Sequence, residues 1–195
     1  MIKSLSLLIS FFFLITLSSF AKTSHENQLD DLFKKLKNTS DYSEAKKIEF
    51  KIWELWSKHP SEQTLTDLLS KGSKYMSQNQ LTSAHNVFSK AIELDPGWAE
   101  AWNKRATVLY FMGSYELSQN DIDMVLKLEK RHFGALAGQG LVQSALNNYQ
   151  KAIESYSEIE KIYPAMQTPK IMIPKLKNLI KKESIWKNFL NLLFI

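Results

Sequence analysis

An all-α solenoid of tandem helix-turn-helix units is the fold this sequence predicts, and three observations carry the prediction. The first is a period. Leu68, Trp102 and Leu136 stand 34 residues apart, and the same step joins Gly72, Ala106 and Gly140; Ala84, Ser118 and Ala152; Phe88, Ile122 and Tyr156; and Ala91, Val125 and Ile159. Small and large apolar residues at fixed phases mark stacked copies of one supersecondary unit. The second is the pattern inside a copy. Leu65, Leu68, Leu69, Gly72, Tyr75 and Met76 recur at steps of three and four, as do Leu81, Ala84, Phe88, Ala91 and Ile92, which is a helical stripe rather than strand alternation. The third is punctuation. Asn79-Gln80, Gly113-Ser114 and Asn147-Asn148 separate the two helices of each copy, since Gly and Asn tolerate the left-handed conformation that ends a helix.

Taken in order, the chain opens on residues 1–21, with Lys3 before an apolar run from Leu5 to Phe20 and small residues at Ser19 and Ala21. This is a secretory signal pattern with cleavage near Ala21, and it places the protein in the periplasm. An uncleaved anchor in the inner membrane is the alternative. The chain holds no Cys, so it relies on stacked helices rather than disulfides. Residues 22–64 read as N-terminal capping helices, a degenerate copy. Leu29, Leu32, Phe33 and Leu36 make a short helix, and Ala45, Ile48, Ile52, Leu55 and Trp56 a longer one stopped at His59-Pro60. Trp53 and Trp56 read either as an exposed aromatic patch or as packing onto the first full copy.

The three full copies are residues 65–98, 99–132 and 133–166. The first and third end at Asp95-Pro96 and Tyr163-Pro164, because a residue before Pro avoids helical dihedrals. The middle copy has Glu129-Lys130 there and no Pro. Small residues at 72, 106 and 140 leave room for helices to cross, with Leu68, Trp102 and Leu136 filling the core beside Phe88, Ile122 and Tyr156. Residues 167–195 form a C-terminal capping helix and an apolar tail. From Lys161 onward there are seven Lys and one acid, +6 against +5 for the whole chain, so the basic balance is local. Pro169 or Pro174 suits the first turn of the helix, with Leu176, Leu179 and Ile180 as its apolar face. Eight of the eleven residues 185–195 are apolar, a run too short to span a bilayer. It packs along the cap helix or lies in a membrane interface beside the Lys cluster.

These phases resemble the tetratricopeptide repeat. The first copy carries the motif best, in Leu68, Gly72, Tyr75, Ala84, Phe88, Ala91 and Pro96. The second keeps Trp102, Ala106, Tyr115, Ile122 and Val125, but Ser118 stands for Ala and Lys130 for Pro. The third keeps Leu136, Gly140, Tyr149, Ala152, Tyr156 and Pro164, and departs at Gln143 and Ile159. Ala99 to Thr107 and His132 to Leu141 also look like exported tetratricopeptide proteins of proteobacteria. The resemblance implies a right-handed α-solenoid whose first helices line a concave groove. It implies a partner-binding set of Leu69, Ser73, Met76, Glu100, Asn103, Lys104, Thr107, Tyr110, Phe111, Arg131, His132 and Leu141. Asn103, Lys104, Thr107 and Tyr110 combine amide, charge, hydroxyl and ring, which suits an extended or helical peptide. Some members hold a C-terminal carboxylate with Lys, Asn and Arg. Leu69 and Ser73 stand at those first-copy positions, so chaperone-tail binding is disfavoured.

No chemistry rises from the rest. His25, His59, His85 and His132 have no second ligand at metal spacing, Asp121 and Asp123 point apart on a helix, and Gly138-Gln139-Gly140 lies inside a helix rather than in a phosphate loop. The expectation is a non-catalytic scaffold for protein–protein interaction in the cell envelope, with no cofactor, no metal and no nucleic-acid partner. Its partner is another protein or peptide. The alternative is a membrane-surface protein docking through the basic apolar tail, and that tail also invites a second copy of the chain.

Overall fold

The computed structural model of the chain describes residues 24–193, and the regular elements among them are helices. Helix α1 covers residues 24–38. It is followed by α2 (Tyr42–Ser57), α3 (Gln63–Ser77), α4 (Leu81–Leu94), α5 (Ala99–Phe111), α6 (Tyr115–Leu128), α7 (Phe133–Ala145), α8 (Tyr149–Ile162) and α9 (Gln167–Leu193). The signal-like segment 1–21, and with it Phe194 and Ile195, lies outside the described residues.

The three repeat hairpins turn the same way. Asn79, Gly113 and Asn147, again 34 apart, hold φ of 57°, 76° and 61°. That conformation carries the next N–H back over the helix end. Gln80 N donates to Tyr75 O at 2.9 Å, Ser114 N to Leu109 O at 2.9 Å, and Asn148 N to Gln143 O at 2.8 Å, which satisfies carbonyls the helix leaves open. The second helices all end on a residue that leaves helical dihedrals in the same way, Asp95, Glu129 and Tyr163, with φ of −140°, −139° and −136°. The middle copy therefore makes the break without Pro. There the Glu129 carboxylate accepts the Arg131 N–H at 2.9 Å, as Asp95 accepts that of Gly97 at 2.7 Å.

Each first helix packs on its second helix, and each second helix on the next first helix, through α9. The first helices α3, α5 and α7 also touch one another directly, which sets them on the inner side of the stack. Small and large residues interlock as a graded set. A Cβ built on Gly72 would stand 2.4 Å from the Phe88 ring, and one on Gly140 2.4 Å from the Tyr156 ring. In the middle copy the large partner is Ile122, and there the small one is Ala106. Two core expectations change. Leu69 is buried where Leu68 is partly exposed, and Trp102 is half-buried, its Nε1 donating to Pro96 O at 2.9 Å.

The N-terminal hairpin departs furthest from expectation. It does not stack in front of α3. It lies across the starts of α5 and α7 and the α8–α9 connection, and Leu29, Phe33, Leu36, Ala45, Ile48, Ile52 and Trp56 share one core with Phe133, Leu136, Tyr163 and Leu176. The reason is in α3. Its outward positions Gln63, Thr64, Asp67, Lys71 and Lys74 are polar and exposed, so its front offers a cap nothing to bury against. Trp53 and Trp56 consequently pack where the second copy meets the third, against His132 and Phe133, and the first copy is reached only at its last residue, Trp98, so they form no surface patch. The last element is longer than a cap. Pro169 sits in the first turn of α9 and Pro174 lies inside it. Residues 181–191 are all exposed, so the described part of the tail does not pack back on the domain.

Candidate partner-binding face

The N-terminal half of the inner face is closed by the hairpin. Trp56 lies flat on the His132 ring, with centroids 3.9 Å apart and planes at 6°. Its carbonyl accepts the Trp98 Nε1–H at 3.1 Å. Trp98 and His132 occupy the same repeat phase, so one residue of α2 grips two successive connections, one through its ring and the other through its carbonyl. Trp53 meets Phe133 edge-on at 5.4 Å, and Gly134 makes room for it, because a Cβ there would stand 2.5 Å from the indole.

Beneath this lid sits a buried charge cluster. His132 Nδ1 accepts the Ala135 N–H at 3.1 Å, which caps α7, so the ring proton is on Nε2 and donates to Glu100 Oε2 at 3.0 Å. Asn103 Nδ2 donates to the same oxygen at 3.0 Å, and Lys104 Nζ pairs with Oε1 at 3.1 Å while resting 5.6 Å from the Trp53 ring centre. Burial pushes the Glu100 carboxyl up, but the His132 hydrogen bond and the Lys104 charge outweigh it and hold its pKa below the usual value. A buried, paired and hydrogen-bonded carboxylate is an intramolecular lock.

The twelve expected groove residues therefore divide. His132, Glu100, Asn103 and Leu69 are buried, at 0%, 1%, 7% and 3% exposure, and cannot touch a partner. Lys104 is spent on Glu100. Arg131 is engaged by Glu129 at 2.9 Å and by Asp30 of α1 at 2.5 Å, over the Phe33 ring. The partner-contact role expected of Arg131 and His132 is thus corrected, because both fasten the hairpin to the stack. The amide contribution expected of Asn103 lapses for the same reason.

Six positions remain accessible toward the C-terminal halves of the first helices. Ser73, Met76, Thr107 and Tyr110 are half-buried, and Phe111 and Leu141 are 61% and 41% exposed. The Ser73 and Thr107 hydroxyls donate to Leu69 O at 2.8 Å and Asn103 O at 2.9 Å, four residues back, so each offers a partner its acceptor side. Tyr110 stacks its edge between Phe111 at 5.9 Å and Tyr115 at 5.5 Å, giving a small aromatic lip. The surface is apolar and hydroxylic, without a free Lys or Arg among these six.

Sequence reasoning missed two features. Arg105 grips Asp121 with two bonds of 2.8 Å and reaches Ser89 Oγ at 3.1 Å, riveting α5 to α6 and α4. The 16-residue separation of Arg105 and Asp121 matches no helical spacing, but it matches the Ser155–Gln139 bond of the third copy, so the repeat itself held the clue. The second is a cavity of about 390 Å³ where His25, Leu29, Trp56, His59, Trp98 and Leu128 meet. Among the described residues no group of His, Asp and Glu is placed to hold a metal.

No family model matches the chain. A TPR repeat-containing protein of Rhizobium etli is 36% identical over 148 residues, which covers 76% of this chain and 72% of that protein. Hsp70-Hsp90 organizing protein 1 of Glycine max is 27% identical over 140 residues, but the chain spans only 23% of it. Among solved structures, the first TPR of Spaghetti (RPAP3) bound to an HSP90 peptide superposes with a TM-score of 0.59 at 19% identity, over 61% of this chain and 94% of that one. MamA superposes with a TM-score of 0.57 at 20% identity, over 71% and 78%. At these identities the structural likeness shows the fold.

Proposed function

The chain belongs to the tetratricopeptide repeat family, and from that premise we propose that it is a non-catalytic scaffold that holds a peptide segment of a partner protein on the open half of its inner face. One observation carries the reading. The hairpin closes the half of the inner face that bears charge, and what it leaves open is the uncharged strip of Ser73, Met76, Thr107, Tyr110, Phe111 and Leu141. Such a strip takes an apolar or aromatic side chain on its rings and backbone N–H groups on its hydroxyls. The solved relative named above holds an HSP90 peptide. Here Leu69 is buried and Ser73 carries no charge, so an acidic chaperone tail finds no cation at those two positions.

The setting we propose is the periplasm, on the signal pattern of residues 1–21. An alkaline phosphatase fusion after Lys22 should be active outside the cytoplasm, and an inactive fusion would place the scaffold inside the cell. For the binding face, a photo-crosslinking residue at Phe111 should trap a discrete partner in cells that express the protein natively. The same residue at Glu93, exposed on the second helix of the first copy, should not. Tyr110→Ala should weaken the Phe111 adduct. Equal adducts at both positions, or one indifferent to Tyr110, would remove the face from consideration.

A further inference from the structure

The second half of α9 leaves the domain it begins on. Up to Ile180 one side of the helix packs inward, with Leu176 1% exposed and Leu179 and Ile180 partly buried against the same core. Beyond it Ile185, Trp186, Phe189 and Leu190 are 57%, 64%, 50% and 48% exposed. Steps of three and four set Trp186, Phe189 and Leu190 on one stripe, and the Trp186 and Phe189 rings meet edge-on at 6.0 Å. At about 100° per residue, the centre of this stripe is turned by roughly 80° from that of Leu176, Leu179 and Ile180, and Leu179 falls at the edge the two share. It is therefore an apolar face turned away from the first, sharing with it only the edge at Leu179. The exposed Ile171 falls on its side of the helix.

The same geometry places Lys181 at one border of the stripe and Lys187 at the other, with Lys182 one turn before it. Along α9 as a whole six Lys stand against the single acid Glu183. We propose that this face docks on an anionic phospholipid surface. The rings and Leu190 enter the acyl boundary, and the Lys stems run along the helix so that their ammonium groups reach phosphates. Trp suits that depth because its ring is apolar and its N–H is not. Charge selects the occupant. A second copy of the helix would bring Lys borders against Lys borders, whereas anionic headgroups complement them. No helix among the described residues is long and apolar enough to cross a membrane, so the helix lies on the surface. This surface is separate from the inner face, and either assignment survives failure of the other.

The test is sedimentation of the full chain from residue 22 with phosphatidylcholine vesicles, with and without phosphatidylglycerol. Two variants are compared, Trp186→Ser/Phe189→Ser/Leu190→Ser and Lys181→Glu/Lys182→Glu/Lys187→Glu. Every substituted side chain is exposed, so both variants should keep the wild-type circular dichroism and thermal midpoint. Wild type should partition at least about 10-fold better onto the anionic vesicles, salt should weaken it, and each variant should lose about 10-fold. Absence of wild-type binding, or binding that either variant leaves unchanged, overturns the proposal. A dimer in sedimentation velocity that the serine variant dissolves, without vesicle binding, would assign the face to a second copy instead.

Discussion

Gly72→Ala tests the interlock that holds each hairpin together. A methyl at Gly72 would stand 2.4, 2.7 and 2.8 Å from Cε1, Cζ and Cδ1 of Phe88. Carbon atoms rest about 3.5–4.0 Å apart, so about 1 Å must be found. The Phe88 side chain is 0% exposed and lies among Leu65, Leu69, Ala84 and Ala91, so it has nowhere to go. Overpacking of this kind costs about 1–3 kcal/mol. Against it stands the gain of about 1 kcal/mol from replacing Gly by Ala inside a helix. The two effects separate in the Phe88→Ile background, which reproduces the Ala106–Ile122 pair of the middle copy. There the steric term vanishes and Ala at position 72 should stabilise by about 1 kcal/mol. The double-mutant cycle should therefore show a coupling of about 1–3 kcal/mol. Urea unfolding of the four proteins, followed by circular dichroism, measures it. If Gly72→Ala shifts stability by the same amount in both backgrounds, small and large phases do not interlock and the packing argument fails.

The hairpin lid makes a second prediction. Gly134→Ala should push Trp53 from its seat, and amide exchange should rise along residues 42–57 while α3 and α4 stay protected; unchanged exchange there would show that the contact does not hold the lid. Tyr156 carries a buried hydroxyl that finds no hydrogen-bond partner among the described residues, and burial raises its pKa to about 12. Tyr156→Phe, the residue type of Phe88 at the same phase, should leave stability unchanged or raise it by about 1 kcal/mol in thermal unfolding, and a clear loss would reveal a missed partner for that oxygen. Acid should weaken the Glu100 lock. Its folded pKa lies below the unfolded value, so its contribution is present above the unfolded carboxylate range and disappears as pH falls through the folded pKa. Glu100→Gln should be less stable than wild type near neutrality and show a flatter loss below about pH 4.5, by urea midpoints across pH; parallel curves would refute the lock.

Much of the architecture was legible before any coordinates. A 34-residue rhythm, with small residues facing large ones and a left-handed residue at every hairpin, repeats three times, and repetition turns weak local signals into a strong one. Even the missing Pro of the middle copy did not mislead, because Glu129 carries out the same turn with its carboxylate. The binding face was legible only in outline. Inner-row positions follow from the phase, but phase does not say which of them another segment covers.

The sequence by itself determined the helices, their pairing and their order, because those depend on contacts between residues close in the chain or one period apart. It also set the basic, apolar end of α9. Only the tertiary structure decided where residues 24–58 lie, which closed half of the inner face and turned His132, Glu100 and Arg131 from expected binding groups into fastenings. That choice rests on Trp56 meeting His132 and Asp30 meeting Arg131, contacts 76 and 101 residues apart. No periodicity encodes such a pairing. It follows from α3 presenting a polar front while the starts of α5 and α7 present aromatic surface, a comparison of buried areas that exists only once the stack is built.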